Sequence, residues 1–309
     1  MNPPRPLLLV IVGPTASGKT AVVHTLADEE PGSIINADSM QVYRHMDIGT
    51  AKPSLQERKT LPYHLIDVVN PDEPFNAAIF LDMARRVIAG RRMDDRPVYV
   101  AGGTGLYVRI LLGGVITGPG PDDALRKQYK NMIAQFGKGY LHDLLRQRDP
   151  QAAGQINPND AVRMIRALEV LDLTGESIIK KQTEHAFQAN REYRYLKIGI
   201  RQERERLRQR IERRADEMIE AGLLHEVESL LAMNYGEDLK AMQSLGYRHM
   251  VRHLKGDCTL EDAVAEMKRD TWKYAKRQMT WFKRDKEILW FDPDRLSEIR
   301  RRISTFSSG

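Results

Sequence analysis

A glycine-rich loop near the beginning of the chain has the residue types and spacing needed to hold phosphate. The segment GPTASGKT follows the apolar run LLLVIV (7–12) and has the spacing Gly-x-x-x-x-Gly-Lys-Thr. In such loops, backbone N–H groups and the positive end of the next helix surround a diphosphate. The predicted diphosphate site consists of Gly13, Pro14, Thr15, Ala16, Ser17, Gly18, Lys19 and Thr20. Lys19 would add a mobile charge and the Thr20 hydroxyl would bind magnesium, but the loop alone does not identify the ligand.

Two further segments bring polar groups to the ends of predicted strands. Asp38 follows the run SIIN (33–36), and Thr104 lies in AGGTGLY (101–107). In open parallel sheets, the carboxyl ends of the strands form the edge where ligands bind. Asp38 could act as a general base, bind magnesium or cap the next helix. The glycines around Thr104 could admit a ligand, or could form a turn that only starts a helix.

The alternation of strands and helices predicts the elements that position these residues. Five apolar runs predict strands, and helices are expected from within the phosphate loop to about Glu30 and over 76–92. The predicted strands are 7–12, 33–36, 97–102, 195–200 and 287–291. This order is typical of an α/β fold, here a P-loop-type doubly wound parallel sheet with helices on both faces. The last residues, STFSSG (304–309), resemble a frayed tail.

A proline- and glycine-rich junction, GPGPDD (118–123), interrupts this alternation. From there the pattern is helical, which predicts a small all-helical insertion domain over 120–190 within a core made of 1–119 and 191–309. In PNDAVRMIRALEVLDLTG (158–175), Asn159 or Asp160 can cap a helix that Gly175 ends.

Composition limits the setting of the protein. The chain has 309 residues, a net charge of +6 and one cysteine, Cys258, so an intrachain disulfide is excluded and a cytoplasmic location is expected. The sequence contains no run of eighteen apolar residues, so a membrane span is not expected. The basic stretches 201–214 and 268–286 suit nucleic acid, the second because aromatic residues interleave with its cations, although solvated helix faces would look the same. His249 and His253 are four residues apart, but we expect core or surface histidines there and no metal site.

Seven motifs occur together and in order: GPTASGKT, NADSMQVYRHMDIGTAKP, PYHLID, AGGTGLY, NPNDAVRMIRALEV, MQSLGYRHM and AKRQMTWFKR. This set resembles the bacterial tRNA dimethylallyltransferase (tRNA isopentenyltransferase) family over essentially the whole chain. The resemblance implies an enzyme that transfers the dimethylallyl group of dimethylallyl diphosphate to N6 of the adenosine 3′ of the anticodon in tRNA, with Mg²⁺ as cofactor. The loop would then hold dimethylallyl diphosphate in place of ATP.

The resemblance also implies roles for individual residues. Asp38 would take the N6 proton, Thr104 would hold the amine beside it, and Lys19 with one arginine would stabilise the diphosphate. We expect that arginine to be Arg214, with Arg210 and Arg213 as rivals. The implied tRNA contacts are Asp38, Ser39, Met40, Gln41, Thr104, Val162, Arg163, Met164, Ile165, Arg166, Gln243 and Gly246. The adenine would flip into a channel, and a monomer is expected.

Three other functions are compatible with parts of the pattern. They are a P-loop kinase for small molecules, an RNA-binding protein that uses a nucleotide as a switch, and an isopentenyltransferase acting on free adenine nucleotides. The family often has a threonine-arginine pair before YAKRQ, where this chain has TWKYAKRQ, with Trp272 and Lys273. This difference concerns one helix contact and leaves the expected chemistry unchanged.

Overall fold

The computed structural model describes residues 5–90, 96–114, 118–185 and 192–308. The chain forms two compact units, one combining Met1–Leu112 with Arg191–Gly309 and the other consisting of Gly113–Asn190. The second unit therefore begins ahead of residue 120, where the sequence predicts the insertion.

A six-stranded parallel sheet forms the centre of the first unit. Its strands are β1 (Leu7–Val12), β2 (Ser33–Asn36), β3 (Tyr63–His64), β4 (Val98–Gly102), β5 (Arg194–Ile200) and β6 (Leu289–Phe291). They lie in the order β3-β2-β4-β1-β5-β6, and each neighbouring pair is parallel. The predicted α/β fold is confirmed. The sequence does not predict β3, because two residues are too short to show an alternating pattern.

Both faces of the central strand β1 are covered. Leu9 and Ile11 belong to one core cluster with residues of helices on their side of the sheet. Leu8, Val10 and Val12 are equally buried, and alternate residues of a strand point to opposite faces. A continuous apolar run such as LLLVIV is therefore suited to a strand buried between two layers.

Thirteen helices are described. They are α1 (Lys19–Glu29), α2 (Leu55–Thr60), α3 (Ala77–Ala89), α4 (Gly105–Gly113), α5 (Asp123–Arg148), α6 (Pro150–Gln155), α7 (Ala161–Thr174), α8 (Ile178–His185), α9 (Arg204–Glu220), α10 (Leu223–Ala232), α11 (Tyr247–Leu254), α12 (Leu260–Phe282) and α13 (Leu296–Ser307). None of the helices in the described ranges is long and apolar enough to cross a membrane.

The end of the chain differs from its prediction. The segment 304–309 is expected to fray, but α13 continues to Ser307. Ile299 and Ile303, one helical turn apart, are buried in the core cluster that contains Leu9, and Phe306 packs against the same cluster. This apolar face stabilises the end of the helix although Ser304, Thr305 and Ser307 are small and polar.

The described residues of the second unit form helices joined by short loops, with no strand among them, and the helices that lie wholly within it are α5 to α8. Asp160, one of the two predicted caps of α7, accepts a hydrogen bond from the backbone N–H of Arg163, and Gly175 ends the helix in the left-handed conformation. Its core includes Leu141, Leu145 and residues of α7.

Candidate active site

The phosphate loop joins β1 to α1, which begins at Lys19. Gly18 has a φ of 97°, a left-handed conformation that suits glycine. Thr20 is exposed in the first turn of α1, where the backbone N–H groups have no partner within the helix. The loop therefore has the strand-turn-helix setting that the motif requires.

Side chains from distant segments fix this loop from outside. Gln202 donates through Nε2 to the carbonyl oxygen of Ser17 at 3.0 Å, and Arg210 donates through Nε to that of Ala16 at 2.9 Å. The N–H of Thr15 donates to a side-chain amide oxygen of α12 at 2.8 Å. These contacts hold the loop backbone without occupying the start of α1.

Asp38 and Thr104 are brought together at the carboxyl ends of the neighbouring strands β2 and β4. The Thr104 hydroxyl oxygen accepts the N–H of Ser39 at 3.0 Å, and the N–H of Thr104 donates to the carbonyl of Ala37 at 3.1 Å. Asp38 Oδ1 accepts the N–H of Met40 at 2.9 Å in a turn. The helix-cap interpretation of Asp38 is therefore wrong, because the next helix, α2, is capped by another residue, a serine.

Of the three arginines considered for the diphosphate, Arg214 faces both the loop and Asp38. Its Nη1 lies 3.4 Å from the Thr15 hydroxyl. Burial lowers the pKa of Arg214, and the charge of Asp38 partly opposes this shift. Arg210 is occupied by a loop carbonyl, whereas Arg213 is exposed and pairs with Glu217 at 3.5 Å.

Lys19 lies in the same electrostatic environment. Burial lowers its pKa to about 8, with Asp38 raising it and Arg214 lowering it further. Asp38 therefore lies close enough to both cations to influence the pKa values of Lys19 and Arg214. A desolvated lysine and arginine side by side form a site where an anion would relieve repulsion between like charges.

Two cavities adjoin at Arg214. The Asp38 cavity, of about 290 Å³, is lined by Asp38, Thr15 and apolar side chains of α9 and α12. The Lys19 cavity, of about 620 Å³, is lined by Gly18, Lys19 and Thr20. Ala16, Arg214 and Met218 line both cavities. A ligand on the phosphate loop and a second ligand beside Asp38 would therefore meet near Arg214.

Gln278 of α12 is a site residue that the sequence does not single out. It is buried, its Oε1 accepts the Thr15 N–H, and its Nε2 donates to the carbonyl of Gly103 at 3.0 Å. It thus joins the phosphate loop to the loop that carries Thr104. A Cβ at Gly103 would lie 2.2 Å from this amide nitrogen, so a larger residue there would displace the Gln278 side chain. The only signal in the sequence is an uncharged amide within a basic, aromatic segment.

The segment between β2 and α2 is held by Glu226 of α10. Its carboxylate accepts the N–H groups of Asp47 and Ile48, both at 2.8 Å, and that of Gly49 at 3.1 Å. It also accepts the hydroxyl of Tyr247 at 2.6 Å. This carboxylate replaces the backbone partners that a helix or strand would supply, and it fixes one wall of the Asp38 cavity.

Of the residues expected to contact tRNA, Gln243 is exposed and lines the Asp38 cavity, together with Ser39, Met40 and Gly246. Gln41 is instead occupied, because its side-chain amide donates to the carbonyls of Thr50 and Ala51 at 3.1 Å.

The predicted contacts in the second unit divide into two groups. Val162 and Arg163 are exposed. Met164 and Ile165 are buried in the core of the unit, so their side chains cannot touch RNA in this structure. Arg166 binds Glu169 at 2.5 Å and the carbonyl of Pro119 at 2.8 Å. The spacing of residues along α7 does not show which side chains stabilise the second unit and which face a ligand.

His249 lies near Glu266 and Asp270, which are distant in sequence. Both carboxylates already pair with arginines, Glu266 with Arg252 and Asp270 with Arg248. The buried His249 accepts the N–H of Gly246 at 3.2 Å. These contacts explain the histidine as a structural residue.

Fold and site together define a class of protein, a P-loop-type α/β protein with a phosphate loop beside a carboxylate. Residues 41–285 match the model of the family described as IPP transferase, and residues 6–67 match that described as isopentenyl transferase. The tRNA dimethylallyltransferase 2 of Syntrophus aciditrophicus is 54% identical over 99% of this chain and 98% of its own length. The tRNA dimethylallyltransferase of Geobacter metallireducens is 48% identical over 97% of each chain.

Solved structures agree. The full-length tRNA isopentenylpyrophosphate transferase of Bacillus halodurans has a TM-score of 0.72 at 39% identity, over 97% of this chain and 96% of that one. A eukaryotic dimethylallyltransferase described as acting on tRNA has a TM-score of 0.80 at 27% identity, over 94% of this chain and 75% of its own. The chain therefore belongs to the tRNA dimethylallyltransferase family, and the resemblance found in its motifs is confirmed.

Proposed function

We propose that this protein is the enzyme that transfers the dimethylallyl group of dimethylallyl diphosphate to N6 of the adenosine 3′ of the anticodon in tRNA. The main support is the position of Arg214, which lines both the Asp38 cavity and the Lys19 cavity. The proposed diphosphate site and the proposed carboxylate base therefore lie in two cavities that adjoin at Arg214. Relatives that are named tRNA dimethylallyltransferases and cover nearly the whole chain support the same activity.

The chemistry needs a base on one side and cations on the other. A bond forms between N6 and the first carbon of the dimethylallyl group while the bond from that carbon to the diphosphate oxygen breaks. The conjugated amine is a poor nucleophile, so Asp38 takes its proton, and Thr104 keeps the amine near Asp38. The departing diphosphate gains negative charge, which the loop N–H groups, Lys19 and Arg214 stabilise.

Magnesium fits the residues of the loop. The Thr20 hydroxyl is exposed at the start of α1, and Ser17 Oγ is buried without a hydrogen-bond partner among the described residues. Magnesium prefers oxygen ligands and is commonly shared between a protein and a phosphate. We therefore propose that the Thr20 hydroxyl would hold a Mg²⁺ ion at the diphosphate site. When bound, the ion would add positive charge next to the leaving group.

Product analysis tests this function directly. The protein is incubated with dimethylallyl diphosphate, Mg²⁺ and unmodified tRNA, and the digested nucleosides are examined by mass spectrometry. A five-carbon adduct on the adenosine 3′ of the anticodon is expected. We expect the reaction to proceed at a cytoplasmic pH with the protein as a monomer. An adduct on AMP but not on tRNA would indicate the free-nucleotide enzyme, and phosphoryl transfer from ATP would indicate a kinase.

A further inference from the structure

A third cavity of the first unit, of about 890 Å³, has a wall rich in unpaired cations. We call it the tryptophan cavity, and its cations are Arg201, Arg204, Lys276, Lys283 and Lys286. Within the described ranges, none of these five side chains lies within ion-pair distance of a carboxylate. Other cations of the unit do have such a partner, as Lys197 has in Asp285.

The acidic side chains of the same wall do not neutralise these cations. Glu203 accepts the N–H groups of Glu205 and Arg206 as the cap of α9. Asp285 pairs with Lys197 at 2.7 Å. Asp292 is the third carboxylate of this wall, so five cations face three carboxylates, which leaves a formal charge of +2.

Two half-buried indoles complete this wall. Trp290 packs so closely on Gly199 that a Cβ there would lie 2.5 Å from its ring. Trp272 packs on an apolar cluster, and Arg204 and Lys276 lie 5.9 and 5.7 Å from its ring centre. Both rings are thus anchored on one side while another part of each lines the cavity. Trp272 also marks the position where this chain departs from the threonine-arginine pair of its family.

Unpaired cations around anchored aromatic rings match the chemistry of a single-stranded nucleic acid, which offers phosphates to the cations and a flat base to the rings. The volume lies near the upper end for small-ligand pockets, which leaves room for a nucleotide and its flanking phosphates. We propose that the tryptophan cavity binds an unpaired nucleotide of the RNA substrate, other than the adenosine that reacts. This inference rests on the proposed action on tRNA.

The cavity adjoins the reaction site through a thin wall. Gln202 lines it and also donates to the Ser17 carbonyl of the phosphate loop. Leu207 and Ala275 line it and belong to the same apolar cluster as Ala16 and Ile211, which line the Asp38 cavity. An RNA loop with one base beside Asp38 could therefore place another nucleotide across this wall.

Binding across a salt series tests the proposal. The test variant combines R201A, R204A, K283A and K286A, all exposed positions, and R301A/R302A removes two exposed charges of α13 as a control. We expect the test variant to bind tRNA at least about ten-fold more weakly at 0.15 M salt, with the salt slope reduced by about 0.7 per lost phosphate contact. The control should leave affinity and slope unchanged. The charge-preserving K283R/K286R change should retain the wild-type slope.

Two further measurements separate the possible results. An anticodon stem-loop carrying 4-thiouridine should crosslink to peptides containing Trp272 or Trp290, and AMP at millimolar concentration should not compete. Competition by AMP would assign the cavity to a free nucleotide and overturn the RNA proposal. An equal salt slope in the test and control variants, with wild-type protein still prenylating tRNA, would refute the cavity proposal alone. Absence of tRNA binding and prenylation by wild-type protein would instead refute the proposed function.

Discussion

The second unit and the surroundings of the phosphate loop in the first unit use arginine in opposite ways. In the second unit, Arg126 and Arg166 both bind the buried Glu169, at 2.7 and 2.5 Å, and Arg148 binds Asp172 at 2.6 Å. Beside the phosphate loop of the first unit, Arg210 and Arg214 contact loop oxygens, and no described carboxylate lies within ion-pair distance of either.

This contrast separates cations that stabilise the fold from cations that are available to bind an anionic ligand. An arginine that binds a buried carboxylate is not free to bind a second anion, because moving the arginine away would leave that carboxylate unpaired. A desolvated arginine without a carboxylate gains most from an incoming phosphate. Arginine spacing in the sequence does not show which case applies, since both occur on amphipathic helices.

The largest expected effect is on Asp38. Asp38→Asn keeps an oxygen that can accept the Met40 N–H but removes the base, so turnover should fall by at least about 10²-fold. Affinity for tRNA should stay within a few-fold of the wild-type value. Single-turnover prenylation and tRNA binding measure the two quantities. If Asp38→Asn were active and only Asp38→Ala were inactive, the role of Asp38 would be to form the turn and not to remove a proton.

The second test compares arginines of the same helix. Arg214→Ala should lower the catalytic rate by about 10²-fold and weaken diphosphate binding, because it removes a cation that meets the charge of the leaving group. Arg208→Ala removes an exposed arginine paired with Glu212 and serves as the control. If Arg213→Ala stopped the reaction while Arg214→Ala did not, the assignment would be wrong by one residue of α9.

A smaller effect is expected for Gln278, which positions two loops without carrying charge. Gln278→Glu keeps an acceptor for the Thr15 N–H but sets an oxygen against the Gly103 carbonyl, so the rate should fall about ten-fold. KM for tRNA should change little. A normal rate combined with a lower melting temperature would mean that Gln278 serves stability alone.

The smallest effect on activity is expected in the second unit. Arg166→Ala leaves Oε2 of the buried Glu169 with Arg126 as its remaining donor, at 3.1 Å, and also removes the bond to the Pro119 carbonyl, so the free energy of unfolding should fall by about 1–3 kcal/mol. Arg163→Ala breaks only an exposed pair and should cost less than about 1 kcal/mol. Urea unfolding measures both. Unchanged stability in Arg166→Ala, with a tRNA salt slope lower by about one, would restore Arg166 as a phosphate ligand.

The sequence predicts the parts of this fold that rest on local pattern. β1, β2, β4, β5 and β6 follow from apolar runs, and the phosphate loop follows from its spacing. The helical end of the chain is not predictable in this way, because α13 is stabilised by a core cluster formed by distant strands.

The same limit applies to the candidate site. Asp38 and Thr104 can be paired from sequence, since each follows a strand of one sheet. The choice among Arg210, Arg213 and Arg214 depends on how α9 is rotated against the loop, which is a property of packing. Gln278 and Glu226 lie far along the chain from the loops they hold.

The contact between Glu226 and the segment from Asp47 to Gly49 has a consequence for hydrogen exchange. Three consecutive amides, outside any helix or strand, share one carboxylate as their acceptor. Withdrawal of that single side chain would expose all three to solvent at once. Their deuterium uptake should therefore be slow for a turn, and the three amides should report one common free energy of opening.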